Sequence, residues 1–388
     1  MLMRKLMPVG MLIAFLAVSF CLGADESSLQ ERISQAASDC SSPRVVMSRD
    51  SDIFVAWEGI LEDRSRIFFR NKRGGRWGPE TIIDRSPWGD NTDPAITLDG
   101  EGNPHIVWTF SDQETSSVHY AFRSGNKWFY PEALRQRSDV NCEFPDIAIQ
   151  KDNNRVYVCW QEGRGSRYSI YIASGLKNGE FDARRLSRVG NQTYNIYPEI
   201  FIAPTPFVTW YGFEGSDFAL RAALFNIQTQ EWMRYDPAGL EYLPANRLPF
   251  LMSDQKGVLY ATWYDSDSAT DRIFFSRQGD LASGKGVIVD GNPDRMNSLP
   301  SGIVGADGEV YLCWRGESIF GGQIFFTKGT YHSDHFEFEE SRLVSDGQKL
   351  FYTQPDCCLD AEGGTIIVWV SSFMDGGDGA VYYRRDTP

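Results

Sequence analysis

Short runs of hydrophobic residues alternate with polar turns along most of the chain, and these runs recur with one period. A proline begins the first run of each unit, and a tryptophan ends the second run 12 to 15 residues later. The prolines are Pro43, Pro94, Pro145, Pro198, Pro249, Pro300 and Pro355, and the tryptophans are Trp57, Trp108, Trp160, Trp210, Trp263, Trp314 and Trp369. This register indicates seven structural repeats, spaced 51 to 55 residues apart.

Each repeat contains four short runs that are rich in β-branched and aromatic residues, with Gly, Asp or Asn in the turns between them. In the second repeat, residues 94–98 form the first run and residues 105–108 the second. Four such runs predict a four-stranded antiparallel sheet, and one sheet per repeat is typical of a propeller blade. We therefore predict an all-β fold, a seven-bladed β-propeller of four-stranded antiparallel blades.

The two ends of the mature chain are predicted to complete one blade together. Only 33 residues follow Pro355, which is enough for three strands. Near the other end, residues 31–35 resemble the fourth runs at residues 183–187 and 341–345. An N-terminal strand should therefore complete the last blade and close the ring, which removes an exposed sheet edge. No linker interrupts the repeats, so residues 25–388 are predicted to form a single domain.

The first 24 residues have the pattern of an export signal. Arg4 and Lys5 precede an apolar stretch at residues 6–22, and the small residues Gly23 and Ala24 follow it. This order is typical of a cleaved signal peptide. We expect a secreted or extracytoplasmic protein, located in the periplasm or at the cell surface.

The charge of the chain narrows the range of partners. The 38 basic and 52 acidic side chains give a formal net charge of −14. Nucleic-acid binding depends on clustered Lys and Arg, so a nucleic-acid partner is disfavoured. No later window approaches the ~18 apolar residues of a membrane span. We expect a monomer that binds a glycan or an extracellular protein.

The cysteines leave two questions open. Cys21 lies within the predicted signal, and its lipidation is undecided by the sequence. An exported protein permits disulfides, but the sequence does not choose a pairing among the remaining cysteines. Those cysteines are Cys40, Cys142, Cys159, Cys313, Cys357 and Cys358. Cys159 and Cys313 stand directly before the tryptophans of their repeats, at a position that fits small buried thiols.

The repeats resemble those of the sialidase-like superfamily of secreted propellers, also called bacterial neuraminidase repeats. Residues 93–108, DPAITLDGEGNPHIVW, have the general form of such a repeat. The turns RNKRGGRW at residues 70–77 and RSGNKW at residues 123–128 look like worn versions of the family's Asp box. A full Asp box and the Phe-Arg-Ile-Pro segment of sialidases are missing, and sialidases have six blades. The resemblance therefore implies a fold and transfers no active site.

Ligand binding is expected at the mouth of the central channel, where loops next to the prolines and tryptophans meet. The residues that follow these two positions differ from repeat to repeat, as a one-sided site on a symmetric scaffold requires. Drift in unconstrained loops produces the same variety, so both interpretations stay open. The candidate ligand-binding residues are Arg44, Asp146, Glu199, Tyr211, Arg247, Tyr264, Asp265, Arg315, Tyr352 and Asp356.

Two kinds of chemistry fit these candidates, and the catalytic residues stay unknown. A sialidase-like mechanism needs arginines for a carboxylate, a carboxylic acid and a tyrosine activated by a glutamate. The matching candidates are Arg44, Arg247 and Arg315, then Asp146 and Asp356, then Tyr352 with Glu199. Tyrosines in the same loops could instead stack on sugar rings. These tyrosines are Tyr194, Tyr197, Tyr211, Tyr264 and Tyr352.

Signals for a cofactor are weak, and we expect none. Acidic loops at residues 265–271 and 375–378 offer oxygen ligands for calcium, but they lack the EF-hand spacing. Four asparagines stand three residues before prolines, and we expect them to bond their own neighbouring backbone. These asparagines are Asn91, Asn195, Asn246 and Asn297.

The sequence favours an exported, non-catalytic propeller that binds a carbohydrate or a protein at its channel mouth. One alternative is a glycan-cleaving enzyme, either a diverged sialidase-like glycoside hydrolase or a propeller-type polysaccharide lyase. Another alternative is a structural interaction scaffold of the cell envelope.

Overall fold

The computed structural model describes residues 30–86, 88–187, 194–214, 217–235, 249–266, 271–280, 286–290, 292, 294–318, 321–346, 350–360, 362–373 and 379–386. Within these ranges, 31 β-strands form seven sheets and there is no helix. The described part accordingly contains no helix that is long and apolar enough to span a membrane. The seven-bladed β-propeller is confirmed. The predicted signal peptide at residues 1–24 lies outside the described residues.

The chain enters at β1 (Glu31–Arg32) and then forms three blades. Blade 1 contains β2 (Ser38–Met47), β3 (Ile53–Leu61), β4 (Arg64–Arg73), β5 (Arg76–Trp77) and β6 (Thr81–Ile82). Blade 2 contains β7 (Asp90–Leu98), β8 (Pro104–Ser111), β9 (Ser116–Ser124), β10 (Lys127–Phe129) and β11 (Arg135–Arg137). Blade 3 contains β12 (Asn141–Gln150), β13 (Arg155–Arg164), β14 (Arg167–Leu176) and β15 (Asp182–Arg185).

Four further blades complete the ring. Blade 4 contains β16 (Asn195–Ile202), β17 (Pro206–Glu214), β18 (Asp217–Asn226) and β19 (Glu231–Tyr235). Blade 5 contains β20 (Phe250–Ser253), β21 (Leu259–Ser266), β22 (Asp271–Arg277) and β23 (Val287–Asp290). Blade 6 contains β24 (Met296–Val304), β25 (Val310–Ser318), β26 (Gly321–His332), β27 (His335–Phe338) and β28 (Arg342–Leu343), and blade 7 contains β29 (Leu350–Leu359), β30 (Thr365–Phe373) and β31 (Ala380–Asp386).

Every blade is an antiparallel sheet. In blades 1 to 6 the strands lie side by side in chain order, and in blade 7 the outer strand is β1, from the other end of the described chain. The first strands of successive blades contact one another around the centre: β2 contacts β7 and β29, and β12 contacts β7 and β16. In blades 1, 2 and 6 the outer strand is split into two short pieces that both pair with the third strand. The first strands therefore surround the central channel, and the fourth strands form the rim.

The N-terminal strand closes the ring as predicted. In β1, Glu31 pairs with Tyr383 and Arg32 pairs with Tyr382 of β31. The backbone N–H of Ile33 then donates to the carbonyl of Val381 at 2.8 Å. This strand is the fourth strand of blade 7, so one sheet joins both ends of the described chain.

The tryptophan column forms the core between blades, because all seven rings are buried. In six blades the residue opposite the tryptophan on the third strand is an aromatic ring whose centroid lies 5.6 to 6.2 Å away. These rings are Phe68, His119, Tyr171, Phe274, Phe325 and Tyr382. In blade 4 this position holds Arg221 instead.

The repeated asparagines have a different role from the predicted one. The Oδ1 atoms of Asn91, Asn195 and Asn297 accept hydrogen bonds from the Nε1 atoms of their own blades' tryptophans, at 2.9, 3.0 and 3.1 Å. The Nδ2 atoms of Asn195 and Asn297 donate to carbonyls of the preceding blade. The prediction that they bond their own neighbouring backbone is therefore wrong. Asn246 lies outside the described residues.

Blades 1, 3 and 7 lack this asparagine and carry Cys40, Cys142 and Tyr352 at the same position. In the described part of the chain, the indole N–H groups of the tryptophans in these three blades have no hydrogen-bond partner. All six described cysteines are buried free thiols, as expected for the two that precede tryptophans. Burial raises the pKa of Cys40 and of Cys142 to about 12, so both stay protonated at neutral pH.

Candidate ligand site at the channel mouth

A repeated backbone irregularity shapes the channel mouth. In six blades the pairing of the first two strands shifts register beside the proline. The residue before the proline has a φ between 49° and 53° in all six, which is the left-handed region that non-glycine residues seldom occupy. These residues are Ser42, Asp93, Phe144, Tyr197, Leu299 and Gln354. The matching residue of blade 5, Leu248, lies outside the described residues.

Strain of this kind persists only where surrounding contacts hold it. The preceding blade supplies such contacts at three of the six positions. The backbone N–H of Ser42 donates to Oε1 of Gln354 at 2.9 Å, and that of Tyr197 donates to Oε1 of Gln161 at 3.0 Å. The N–H of Asp93 donates to Oε2 of Glu58 at 3.4 Å. These hydrogen bonds tie neighbouring blades together at the mouth.

Acidic residues after the prolines make a second set of bonds between blades. Oδ2 of Asp146 accepts from the backbone N–H of Ile200 at 2.8 Å. Oδ2 of Asp356 accepts from the N–H of Val45 at 2.9 Å, and its Oδ1 accepts from Oγ of Ser301 at 3.2 Å. Asp146 and Asp356 therefore join adjacent blades as well as face the channel.

A cavity of about 350 Å³ lies inside this ring, between the first strands of blades 1 to 5 and blade 7. Its polar lining consists of Ser42, Arg44, Asp93, Asp146, Glu199 and Asp356. Its apolar lining includes Ala95, Phe144, Tyr197, Phe201, Phe250 and Leu251. One small space therefore combines a cation, four carboxyl groups and several aromatic rings.

Among the described residues, Arg44 is the only basic residue of this lining. Its side chain is exposed to the cavity, and no described carboxylate lies within ion-pair distance of it. Its charge nevertheless acts to lower the pKa of each of the four surrounding carboxyl groups. The guanidinium thus stands among the acids without binding any of them, so its donors are available to a ligand.

Glu199 is the most perturbed acid of the cavity. Burial, together with the neighbouring charge of Asp146, raises its pKa to about 8 from an ordinary value of 4.5, against the opposing effect of Arg44. Burial also raises the pKa of Asp93, Asp146 and Asp356. Among the described residues, Oε2 of Glu199 has no hydrogen-bond partner. Glu199 is therefore largely protonated at neutral pH and is able to donate a hydrogen bond.

Aromatic rings form one side of the mouth. Tyr197 and Phe144 meet edge to face, with ring centroids 4.9 Å apart. Tyr197 is 40% exposed, although both residues occupy the strained position before a proline. The bulge thus presents an aromatic surface to solvent directly beside the charged cavity.

The structure brings four of the ten candidate residues together, namely Arg44, Asp146, Glu199 and Asp356. It places two of the tyrosines elsewhere. Tyr211 is buried and donates its hydroxyl to the carbonyl of Pro249 at 2.8 Å. Tyr352 is buried against Trp369, and its hydroxyl donates to Asp346. Neither ring lines the cavity, and Tyr352 does not lie beside Glu199 there.

The other candidates also lie apart from this cavity or outside the described residues. Arg315 pairs with Glu317 of its own strand at 2.5 Å. Tyr264 packs against the core between blades 5 and 6, and Asp265 follows it on β21. Arg247 lies outside the described residues, as do residues 267–270 and 375–378 of the two acidic loops. No group of metal-ligating side chains is found among the described residues.

Sequence reasoning missed Asp93, Phe144 and Phe250 as cavity residues. Phe250 follows its proline, so it belongs to a column already singled out as variable. Asp93 and Phe144 precede their prolines, and the signal that could have found them is the unusual backbone at that position.

Comparisons with known proteins agree on the fold. No protein-family model matches the chain, and no curated protein matches it in sequence. Among solved structures, a protein of unknown function from Dyadobacter fermentans is similar with a TM-score of 0.52 at 10% identity, over 92% of this chain and 98% of that chain. The polysaccharide lyase Uly1 has a TM-score of 0.52 at 8% identity, over 89% of each chain.

A mutant of the NanB sialidase from Streptococcus pneumoniae is also similar, with a TM-score of 0.50 at 9% identity, over 92% of this chain and 70% of that chain. At such identities the likeness concerns the fold alone. The chain therefore shares a propeller fold with sialidases and a polysaccharide lyase, and its resemblance to the sialidase-like superfamily holds at the level of that fold.

Proposed function

We propose that this protein is an exported propeller that binds a carbohydrate at its channel mouth without cleaving it. The observation that carries the proposal is that Arg44, whose guanidinium has no ion-pair partner among the described residues, shares one cavity with the exposed ring of Tyr197. Sugar rings offer an apolar face and many hydroxyls, so a site for them combines an aromatic surface with hydrogen-bonding groups. At about 350 Å³, the cavity has the size of a small-molecule site.

The charge of the cavity favours a neutral or amino-bearing sugar. Arg44 faces three aspartates, and Glu199 is largely protonated at neutral pH. Among the described residues the lining offers a carboxylated sugar one guanidinium against four carboxyl groups, and no second cation to hold the sugar's carboxylate. Hydroxyl groups would accept from Arg44 and Glu199 and donate to the aspartates.

Binding without cleavage is favoured because the aspartates already serve the scaffold. Asp146 accepts the N–H of Ile200, and Asp356 accepts the N–H of Val45 and the hydroxyl of Ser301. Glycoside hydrolysis needs two carboxyl groups that are available for the scissile bond. Only Glu199 combines a largely protonated carboxyl group with an oxygen that has no partner among the described residues.

A glycan-cleaving enzyme is the second candidate, and Glu199 is the reason to retain it. A carboxylic acid with a pKa of about 8 is suited to protonate a leaving group. A glycan array followed by product analysis on each bound glycan separates the two functions. Intact glycans support the binding protein, whereas cleavage that is lost in Glu199→Gln supports the enzyme.

The binding proposal is tested with variants of the mouth. Tyr197→Ala and Arg44→Gln should each weaken binding to the array hits by about tenfold or more, since each removes one face of the site. Leu299→Ala is the matched control, because Leu299 is 44% exposed at the same strained position of blade 6 and does not line the cavity. Equal binding by all three variants would reject this site.

Export is proposed from the signal pattern of residues 1–24. Expression of the full chain should place the protein in the extracytoplasmic fraction with residues 1–24 removed. A chain that starts at residue 25 should stay in the cytoplasm. Retention of the full chain in the cytoplasm would overturn this part of the proposal.

A further inference from the structure

One tryptophan of the propeller stands in solvent. Trp88 is 72% exposed, more than any other large hydrophobic side chain in the described part of the protein, whereas the seven tryptophans of the core column are buried. It lies two residues before β7, in the connection that enters blade 2 from the side of the mouth. An indole ring left in water forgoes the stabilisation of burial, and a ring held there is suited to anchor a partner.

The loop around Trp88 fixes the position of this ring. Oγ of Ser86 accepts from the backbone N–H of Trp88 at 3.3 Å and donates to its carbonyl at 2.7 Å. Gly89 has a φ of 75°, and a Cβ atom there would lie 2.5 Å from the carbonyl oxygen of Ser111 and 2.6 Å from the ring of Phe110. Because these contacts hold the backbone of Trp88, its ring loses little conformational freedom when a ligand stacks on it.

A row of hydrogen-bonded polar groups links this loop to the cavity at the mouth. Asp93 lines the cavity, and its backbone N–H donates to Oε2 of Glu58 at 3.4 Å. Oε1 of Glu58 accepts from Oγ of Ser65 at 3.1 Å, and the backbone N–H of Ser65 donates to Oδ1 of Asp90 at 3.1 Å. Asp90 is exposed and follows Trp88 by two residues, whereas Glu58 and Ser65 are half-buried. The row therefore crosses the junction of blades 1 and 2, from the cavity to the exposed ring.

The distance between the cavity and the ring suits a short chain of sugars. Asp93 follows Trp88 by five residues, and an extended backbone covers at most about 18 Å over five residues. Trp88 does not line the cavity, so a single sugar held there leaves its ring free. Oxygens along the row are able to accept hydrogen bonds from sugar hydroxyls, and the indole offers an apolar face to a sugar ring. Tyr197 offers a similar face beside the cavity.

We propose that the mouth binds a chain of neutral or amino-bearing sugars, with one end in the cavity and a later unit stacked on Trp88. This inference rests on the proposed binding of a carbohydrate at the mouth, and it adds the length and the direction of the ligand. The chain would cross Glu58, Ser65 and Asp90 on its way to the ring. Trp88 would then make the protein prefer a chain to a single sugar.

The test is isothermal titration of the purified protein with cello-, manno-, xylo- and chitosan oligosaccharides of one to six units. In the series that binds, the six-unit chain should bind about tenfold or more tightly than the single sugar. Trp88→Ala should lower the affinity for the six-unit chain about tenfold and leave the affinity for the single sugar unchanged. Trp88→Phe keeps an aromatic face and should retain most of the affinity for the long chain.

Leu176→Ala is the matched control, because Leu176 is 56% exposed at the end of β14, beside the turn between β12 and β13 on the face opposite the mouth. It should bind every probe like the unaltered protein. Tyr197→Ala should weaken the single sugar and the long chain alike, since this ring lies at the cavity.

Two failures are distinguishable in this experiment. If Tyr197→Ala weakens binding but Trp88→Ala binds the six-unit chain like the unaltered protein, the mouth site stands and the sugar chain is overturned, which leaves the ring of Trp88 to a partner of another class. If the unaltered protein binds no member of the four series and no glycan of the array, the carbohydrate site itself is rejected, and the chain with it.

Discussion

The same seven repeats form the tryptophan column and the channel mouth, but the feature that recurs from blade to blade differs between these two regions. In the column the side chain recurs, because each blade places a tryptophan in the core. At the mouth the backbone recurs, with a φ of 49° to 53° before six prolines. The side chains there range from Arg44 to Phe250 and Asp356.

This difference follows from what surrounds each position. A ring buried between blades must fill a set volume, so its size and shape are constrained. A side chain at the mouth faces water or the channel, and only the backbone beneath it must fit the neighbouring blade. A symmetric fold thus carries an asymmetric surface at the mouth without loss of core packing. Blade 4 keeps Trp210 in the column, and only the residue opposite it, Arg221, departs from the aromatic ring of the other six blades.

The largest expected effect comes from removing a core ring. Trp314→Ala should lower the free energy of unfolding by about 3 to 5 kcal/mol, because it leaves a cavity between blades 5 and 6. Trp88→Ala is the control, since Trp88 is 72% exposed and should change stability by about 0.5 kcal/mol or less. Denaturant unfolding measures both. Similar losses of unfolding free energy in the two variants would contradict a large contribution of the tryptophan column to stability.

A smaller loss of stability is expected when Asn297, which accepts the hydrogen bond of Trp314, is replaced. Asn297→Ala leaves the buried Nε1 of Trp314 without its acceptor and should cost about 1 to 3 kcal/mol. Asn297→Cys places there the residue that blades 1 and 3 carry. Because those blades manage without the acceptor, we expect a smaller loss for Cys than for Ala in the same unfolding measurement. An unchanged free energy of unfolding in Asn297→Ala would show that this hydrogen bond contributes nothing to stability.

At the mouth, replacing Glu199 is expected to change how the stability of the folded chain depends on pH. The pKa of Glu199 is about 8 in the folded chain against an ordinary value of 4.5. Between these values the folded chain holds a proton that the unfolded chain releases, so stability falls as pH rises from 4.5 to about 8. Glu199→Gln keeps an acceptor and removes this titration.

Melting temperatures of both proteins, measured from pH 4.5 to 9, test this expectation. The difference between the variant and the unaltered chain should grow in favour of the variant up to about pH 8 and then level off. Asp152→Asn, an exposed acid in the turn after β12, is the control and should follow the unaltered chain. Parallel curves for Glu199→Gln and the unaltered chain would contradict a raised pKa for Glu199.

The sequence alone determined the number of blades, the strand order within each blade and the closure of blade 7 by residues 31–35. These features follow from the local alternation of apolar runs and turns, which is written along the chain and needs no knowledge of distant contacts. The same pattern located the mouth and four of the residues that line its cavity, Arg44, Asp146, Glu199 and Asp356.

Only the tertiary structure decided which side chains share a cavity. Tyr211 and Tyr352 have the right position in the repeat, but packing against neighbouring blades buries both rings. Asp93 and Phe144 line the cavity, and each is itself the residue before a proline whose backbone is in the left-handed region. Contacts between blades join residues far apart in sequence, so no local pattern contains them.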